Sequence, residues 1–161
     1  MRIKHIPINI TKSYKCGLFT TYMNNPVKNT FEELVKDVIL LDDVMLSIRS
    51  EGAIAEVRLE KNIPFRIKEQ WATIGDEKGA WHIHVNIQQV KEAKFIIESS
   101  EDGRRRYSIR FFNSENRLVL RVNFMKMYTA ENKVIEESLT RYENLFSKYG
   151  KQETIVLQLQ S

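Results

Sequence analysis

The chain has 161 residues, 42% hydrophobic and 29% charged, with only six glycines and three prolines. That balance fits one folded domain with a real core and excludes the disordered, collagen-like and low-complexity classes. The 25 Lys and Arg against 21 Asp and Glu leave +4, which favours anionic partners slightly but is too little for a nucleic-acid-binding tail.

A lone cysteine, Cys16, permits neither an internal disulfide nor a thiolate metal cage, so a reducing compartment and a cytoplasmic location are expected. The first ten residues interrupt their apolar positions with charges and Pro7, so they hold no signal-peptide core. The longest apolar run, Val38 to Leu41, is far below the ~18–20 residues of a membrane span. One domain over residues 1–161 is expected: an arm over 1–28, a core over 29–150, and an edge strand or tail over 151–161.

The elements follow in chain order. Residues 1–25 show weak periodicity and read as an arm or one irregular strand. Thr30 with Glu33 forms a capping box, and Phe31, Leu34, Val35, Val38 and Leu41 recur at helical spacing, predicting a helix of about three turns that ends near Asp42 and Asp43. Val44 to Arg49 reads as a strand, Glu51-Gly52 as a tight turn, and Ala53 to Leu59 as the returning strand of a hairpin. A loop around Asn62-Ile63-Pro64 leads into a segment from Glu69 to Ile74 that carries Trp71, and Gly75 to Gly79 is a polar turn. Trp81 to Ile87 alternates strictly, with Trp81, Ile83, Val85 and Ile87 on one face and His82, His84 and Asn86 on the other. Lys94 to Ser99, Tyr107 to Phe112 and Arg117 to Met127 are three further strands in antiparallel succession. Thr129 is placed to cap a closing helix with Val134, Ile135, Leu139, Tyr142, Leu145, Phe146 and Tyr149 on its apolar stripe, and Gly150 is its stop. Thr154 to Leu159 returns as an edge strand. Short connections and grouped helices do not alternate as βαβ units do, so the class is α+β with an antiparallel sheet flanked by helices.

The residues that carry chemistry are few. There is no Gly-rich phosphate loop before a helix, no G-x-S-x-G elbow, no H-E-x-x-H and no cysteine pair, so NTPase, hydrolase, zinc-protease and zinc-finger readings have no support. His82 and His84 lie two apart on a strand and project from one face, about 7 Å apart at the backbone. Neutral imidazoles so placed suit zinc, copper, nickel or haem iron. The plain alternative is two polar side chains on a solvated face. The run Arg104-Arg105-Arg106 can clamp carboxylates or phosphates, or simply form a solvated hairpin tip beside Glu101 and Asp102. Tyr107, Tyr128, Met45, Met125 and Met127 are possible iron ligands or core residues, and the aromatic residues from Trp71 to Tyr128 at strand spacing are core by default. Cys16 has no predicted histidine neighbour and reads as incidental.

From Phe31 to Tyr149 the ordered pattern resembles the intracellular haem-utilisation carrier proteins of the HutX/ChuX type, which are related to the longer two-repeat HemS-type proteins. Phe31-Glu32-Glu33-Leu34 and Val44 to Arg49, then Gly52-Ala53-Ile54-Ala55-Glu56-Val57, are similar to the family's first helix and hairpin. Trp81-His82-Ile83-His84-Val85 is similar to its histidine-bearing strand. Phe95-Ile96-Ile97-Glu98 with Tyr107 to Asn113, and Leu118 to Phe124 before a helix, complete the match. Between the two middle strands, where the family commonly has proline, glycine and a bulky residue, this chain reads Glu98-Ser99-Ser100-Glu101-Asp102-Gly103.

The resemblance implies an antiparallel sheet flanked by helices, a homodimer of pseudo-symmetric halves, and haem as cofactor against the sheet. It implies His84 or His82 as the iron ligand and Arg104, Arg105 or Arg106 as partners of the haem propionates, with a haem donor or acceptor protein as a further partner. The expected function is a non-catalytic haem carrier or buffer. The alternatives are an enzyme that degrades haem or releases its iron, and a fold relative acting as a metal-free ligand-binding or assembly module.

Overall fold

The computed structural model of the chain describes residues 30–158. The arm expected over residues 1–28, with Cys16, lies outside them. The elements in order are α1 (Phe31–Ile39), β1 (Val44–Arg49), β2 (Ile54–Arg58), β3 (Phe65–Lys68), β4 (Trp71–Gly75), β5 (His82–Asn86), a 3-10 turn over Ile87–Gln89, β6 (Glu92–Ser99), β7 (Arg105–Phe112), β8 (Leu118–Phe124), α2 (Glu136–Lys148) and β9 (Thr154–Val156). The class is α+β and every strand pairing is antiparallel, as expected.

The strands divide into two sheets. Six of them run in the order β2-β1-β8-β7-β6-β9, and β3-β4-β5 form a separate sheet of three. The histidine strand therefore does not continue into the main sheet, contrary to the expected unbroken succession. The 3-10 turn begun by Asn86, whose side chain accepts from the Gln88 amide at 3.1 Å, breaks the ladder between β5 and β6. The segment read as one element from Glu69 is a hairpin. Its missing half, Phe65–Lys68, pairs with Trp71–Ile74 across a turn in which Glu69 takes φ 55°.

The core lies on one face of the large sheet. Leu46 pairs with Val122, Val122 with Ile109 and Ile109 with Phe95, a buried row running across four strands. Both helices seat on this face. Phe31 of α1 meets Phe111 edge-on at 5.2 Å, while Tyr142 of α2 sits among Phe95, Tyr107 and Phe124 at 5.0–5.8 Å, an aromatic arrangement that adds to simple area burial. Asp37 of α1 accepts hydrogen bonds from the Tyr149 hydroxyl at 2.8 Å and from Lys148 Nζ at 2.6 Å, which ties the two helices together.

The capping box holds: the Thr30 hydroxyl accepts from the Glu33 amide at 3.2 Å. Gly150 ends α2 at φ +73°. Thr129 does not cap α2. It closes a local turn through the Lys133 amide at 3.3 Å, and Ile135 stands at the helix N-terminus without a side-chain cap. The chain between β8 and α2 is committed to a bridge between Tyr128 and Val134, which delays the helix by several residues. Gly75, at φ +99°, is required twice over, because a Cβ there would lie 2.8 Å from the Trp81 carbonyl oxygen and 2.9 Å from its ring. Among the described residues no helix is long and apolar enough to cross a membrane.

Burial pushes the Tyr142 hydroxyl up to about 12. Burial, with help from the hydrogen bond to Asp37, also pushes Tyr149 well above the ordinary tyrosine range. An unfolded tyrosine titrates near about 10, so the stability held in these two groups is complete below that pH and is lost as pH rises toward the folded values. The unfolding free energy in urea should therefore fall between about pH 10 and 12, and Tyr149→Phe should flatten that fall. Phe111→Ala, which empties a fully buried site, should cost about 3–5 kcal/mol in the same assay.

Candidate functional site

Register sorts the small sheet into two faces. Phe65, Ile74 and Ile83 lie in one row, and Ile67, Ala72 and Val85 in the next; Ala72, Ile74 and Val85 are fully buried and the others half-buried. The opposite face carries Arg66, Thr73 and His84 in one row, Lys68, Trp71 and Asn86 in the next, and Gly75 beside His82. The alternation from Trp81 to Ile87 thus puts both histidines on the outer face, where they are exposed.

On this face Arg66, Lys68, Glu69, Trp71, Thr73, Glu77 and His84 line a hollow of about 450 Å³, within the usual range for small-molecule sites. His84 Nδ1 is 3.0 Å from the Thr73 hydroxyl. With the proton on Nδ1 the ring donates to Thr73, and Nε2 keeps its lone pair free for a metal; such support fixes both tautomer and ring direction. His82 packs edge-on against His84 with ring centroids 4.9 Å apart. Glu77 pairs with Arg66. That hydrogen bond first, then the charges of Arg66, His84 and His82, hold the Glu77 carboxyl below its usual range. Trp71 is not core: it is 44% exposed and offers a flat apolar wall. Among the described residues no three His, Cys, Asp or Glu side chains gather to hold a bare metal ion, whereas haem iron needs only one axial side chain.

Arg104, Arg105 and Arg106 stand elsewhere. They border a second hollow of about 390 Å³ over the polar face of the large sheet, together with Arg49 and Arg121. Arg104 is paired with Asp102, and Tyr128 accepts from the Arg105 amide at 2.8 Å. Met45, Met125, Met127 and Tyr128 line the same hollow, and so does Tyr107, although most of its side chain is buried in the core beside Tyr142. In one chain the histidines and the three consecutive arginines therefore open on different hollows of different sheets.

The sequence reading missed Arg66, Lys68 and Thr73. The signal was present in Phe65-Arg66-Ile67-Lys68, an alternating run straight after Pro64, but four residues make a short strand. It also missed Arg49 and Arg121, which lie on the polar side of strands read mainly for their apolar side.

Two antiparallel sheets, two helices on one face of the larger sheet, and a histidine pair on the open face of the smaller one define an α+β domain. A family model matches residues 32–150, and the chain belongs to the ChuX-like family. The fold is that of ChuX itself, with a TM-score of 0.63 at 16% identity over 76% of this chain and 73% of that one; ChuX is described in a second structure as a heme-binding protein. ChuS, described as an E. coli heme oxygenase, matches with a TM-score of 0.55 at 11% identity over 70% of this chain and 33% of its own. PhuS of Pseudomonas aeruginosa, described as a heme-binding protein, matches at 0.52 and 12% identity over 68% of this chain and 30% of its own. No curated protein matches in sequence.

If Thr73 sets the His84 tautomer, Thr73→Val should shift the imidazole ¹⁵N resonances of His84 away from the Nδ1-protonated pattern and leave those of His82 in place. Unchanged His84 resonances would remove Thr73 from this role.

Proposed function

We propose that this protein is a non-catalytic haem carrier that seats the macrocycle on the outer face of its three-stranded sheet. The observation that carries the reading is the company His84 keeps: a flat aromatic wall in Trp71, with Lys68 and the Glu77-paired Arg66 on the rim of the same hollow, next to Glu69. His84 Nε2 would meet the iron, with His82 beside it as an alternative ligand, and Trp71 would cover part of the apolar ring. Arg66 and Lys68, by sharing the hollow of His84, take the propionate role expected of Arg104, Arg105 and Arg106. Bound haem supplies an iron centre with one position for the imidazole and a pair of carboxylates for the cations. That relatives of the same fold are described as heme-binding proteins supports the choice of ligand.

The alternative, an enzyme acting on haem, is kept by the fold it shares with ChuS. The hollow favours carriage over chemistry. His82, His84, Arg66, Lys68 and Trp71 are all exposed, and an open face lets a ligand pass to an acceptor. Oxidation of a ring needs a site that excludes water. A homodimer that leaves this face open to a haem donor or acceptor protein is part of this reading.

Haemin titrated into the purified full chain should give a saturable Soret shift at one equivalent. His84→Ala should lower the affinity at least about tenfold and change the band, because the axial bond is lost. Arg66→Met with Lys68→Met should weaken binding about tenfold without moving the band, because charge-assisted hydrogen bonds alone are removed. Absence of a shift at equimolar haemin would end the proposal and leave the metal-free module. Mass by light scattering, with and without haemin, tests the dimer; a monomer in both states removes it.

A further inference from the structure

The polar face of the six-stranded sheet concentrates positive charge in a domain that has no excess of it. Residues 1–29 hold five of the 25 basic residues and none of the 21 acidic ones, so 20 stand against 21 in the rest of the chain. Yet the hollow on this face is bordered by Arg49, Arg104, Arg105, Arg106, Arg121 and Lys126, with Glu56 as the only carboxylate on its wall among the described residues.

Three of these cations are answered locally. Arg104 pairs with Asp102, Lys126 with Asp43 at 2.6 Å, and Arg121 with Glu98 at 3.6 Å, although Glu98 is also held by Arg110. Arg110 and Arg121 are direct cross-strand partners, their side chains only 18% and 15% exposed, and the Nε of each is buried without a hydrogen-bond partner. Burial, and then the neighbouring charges of Arg110, Arg49 and Arg106, disfavour the charged form of Arg121. Among the described residues Arg49, Arg105 and Arg106 have no ion-pair partner. Like charges directly opposite one another in a ladder are destabilising, and a buried charge short of partners is costly. A sheet face built this way lacks negative charge.

The rest of the wall says what kind of anion would supply it. Ser47, 2% exposed, accepts from Asn123 Nδ2 at 3.3 Å, and both lie beside Arg121 in the hollow, offering neutral hydrogen bonds to an oxyanion. Beside them Met45, the cross-strand partner of Asn123, and Met125 add an apolar, adaptable surface to the same wall, backed by the buried Phe124 and Met127. A bare inorganic anion would leave that surface unused, and a neutral ring would leave the guanidinium groups unpaired.

We propose that this hollow binds a small organic anion, an oxyanion head on an apolar body of one or two rings, at a site separate from the one that holds His84. The head, carboxylate or phosphate, would meet Arg49, Arg106 and Arg121, and the body would lie on the methionines. At about 390 Å³ the space falls toward the lower end of small-molecule pockets. The inference does not depend on haem binding.

Isothermal titration of the full chain with 2-naphthoate, 2-naphthyl phosphate, neutral 2-naphthol and inorganic phosphate tests it. At least one of the first two should bind at one equivalent, and 2-naphthol and inorganic phosphate should bind at least about tenfold more weakly; the tighter of the first two identifies the head. Arg49→Ala, at an exposed position, should weaken the organic anion about tenfold, and His84→Ala should leave it unchanged. No saturable binding of either naphthyl anion, binding indifferent to Arg49→Ala, or equal binding of 2-naphthol would overturn the proposal. Loss of binding in His84→Ala would overturn the separateness of the site. A haemin titration of Arg49→Ala runs alongside: a preserved Soret shift with lost anion binding supports two sites, while loss of both assigns the arginines to the haem site.

Discussion

The structure depends on the buried row that crosses the large sheet from Leu46 through Val122 and Ile109 to Phe95. Side chains alternate across a strand, so once this row faces the helices every neighbouring residue must face the other way. That constraint seats α1 through Phe31 on Phe111 and α2 through Tyr142 on Phe95. The same constraint places Ser47, Arg121 and Arg110 in one row on the far side. A slip of one residue in β8 would put Arg121 among the aromatic rings, at the cost of a buried unpaired charge, so the core enforces the register of the polar face as strongly as its own.

The small sheet repeats the same logic at lower depth. Ala72, Ile74 and Val85 bury one side, and Thr73, His84, Arg66 and Trp71 are turned outward together. The chain thus carries two polar faces of different character. One is open, with imidazoles and an aromatic wall. The other is recessed, with guanidinium groups over buried hydroxyls. Their separation onto two sheets follows from the 3-10 turn at Ile87–Gln89, which ends β5 and lets β6 begin a new ladder. The break keeps Arg49, Arg121 and the three consecutive arginines out of the hollow of His84.

Much of this was legible in one dimension. The capping pair Thr30 and Glu33, the alternation from Trp81 to Ile87 and the stop at Gly150 each act over a few residues, and each is found where local chemistry places it. Family membership was legible for the same reason, as an ordered series of such local signals. Thr129 shows the limit: as a cap it is as good as Thr30, but the bridge between Tyr128 and Val134 takes its segment for another purpose. Trp71 shows another. Its apolar ring suggests core, yet its row in the β3-β4-β5 register faces outward.

By itself the sequence determined the class, the start of α1 and the stop of α2, the alternation that sets each strand's two faces and the pairing of His82 with His84, because these depend on neighbours within about four residues. Only the tertiary structure decided which strands lie side by side. It therefore decided that Thr73 supports His84, that Arg66 and Lys68 share its hollow, and that Arg49, Arg106 and Arg121 converge from three strands while Arg104, Arg105 and Arg106 stand apart from the histidines. Such convergence joins positions up to 72 residues apart, and no local periodicity encodes it, since register between distant strands is chosen by the burial of the whole apolar face at once.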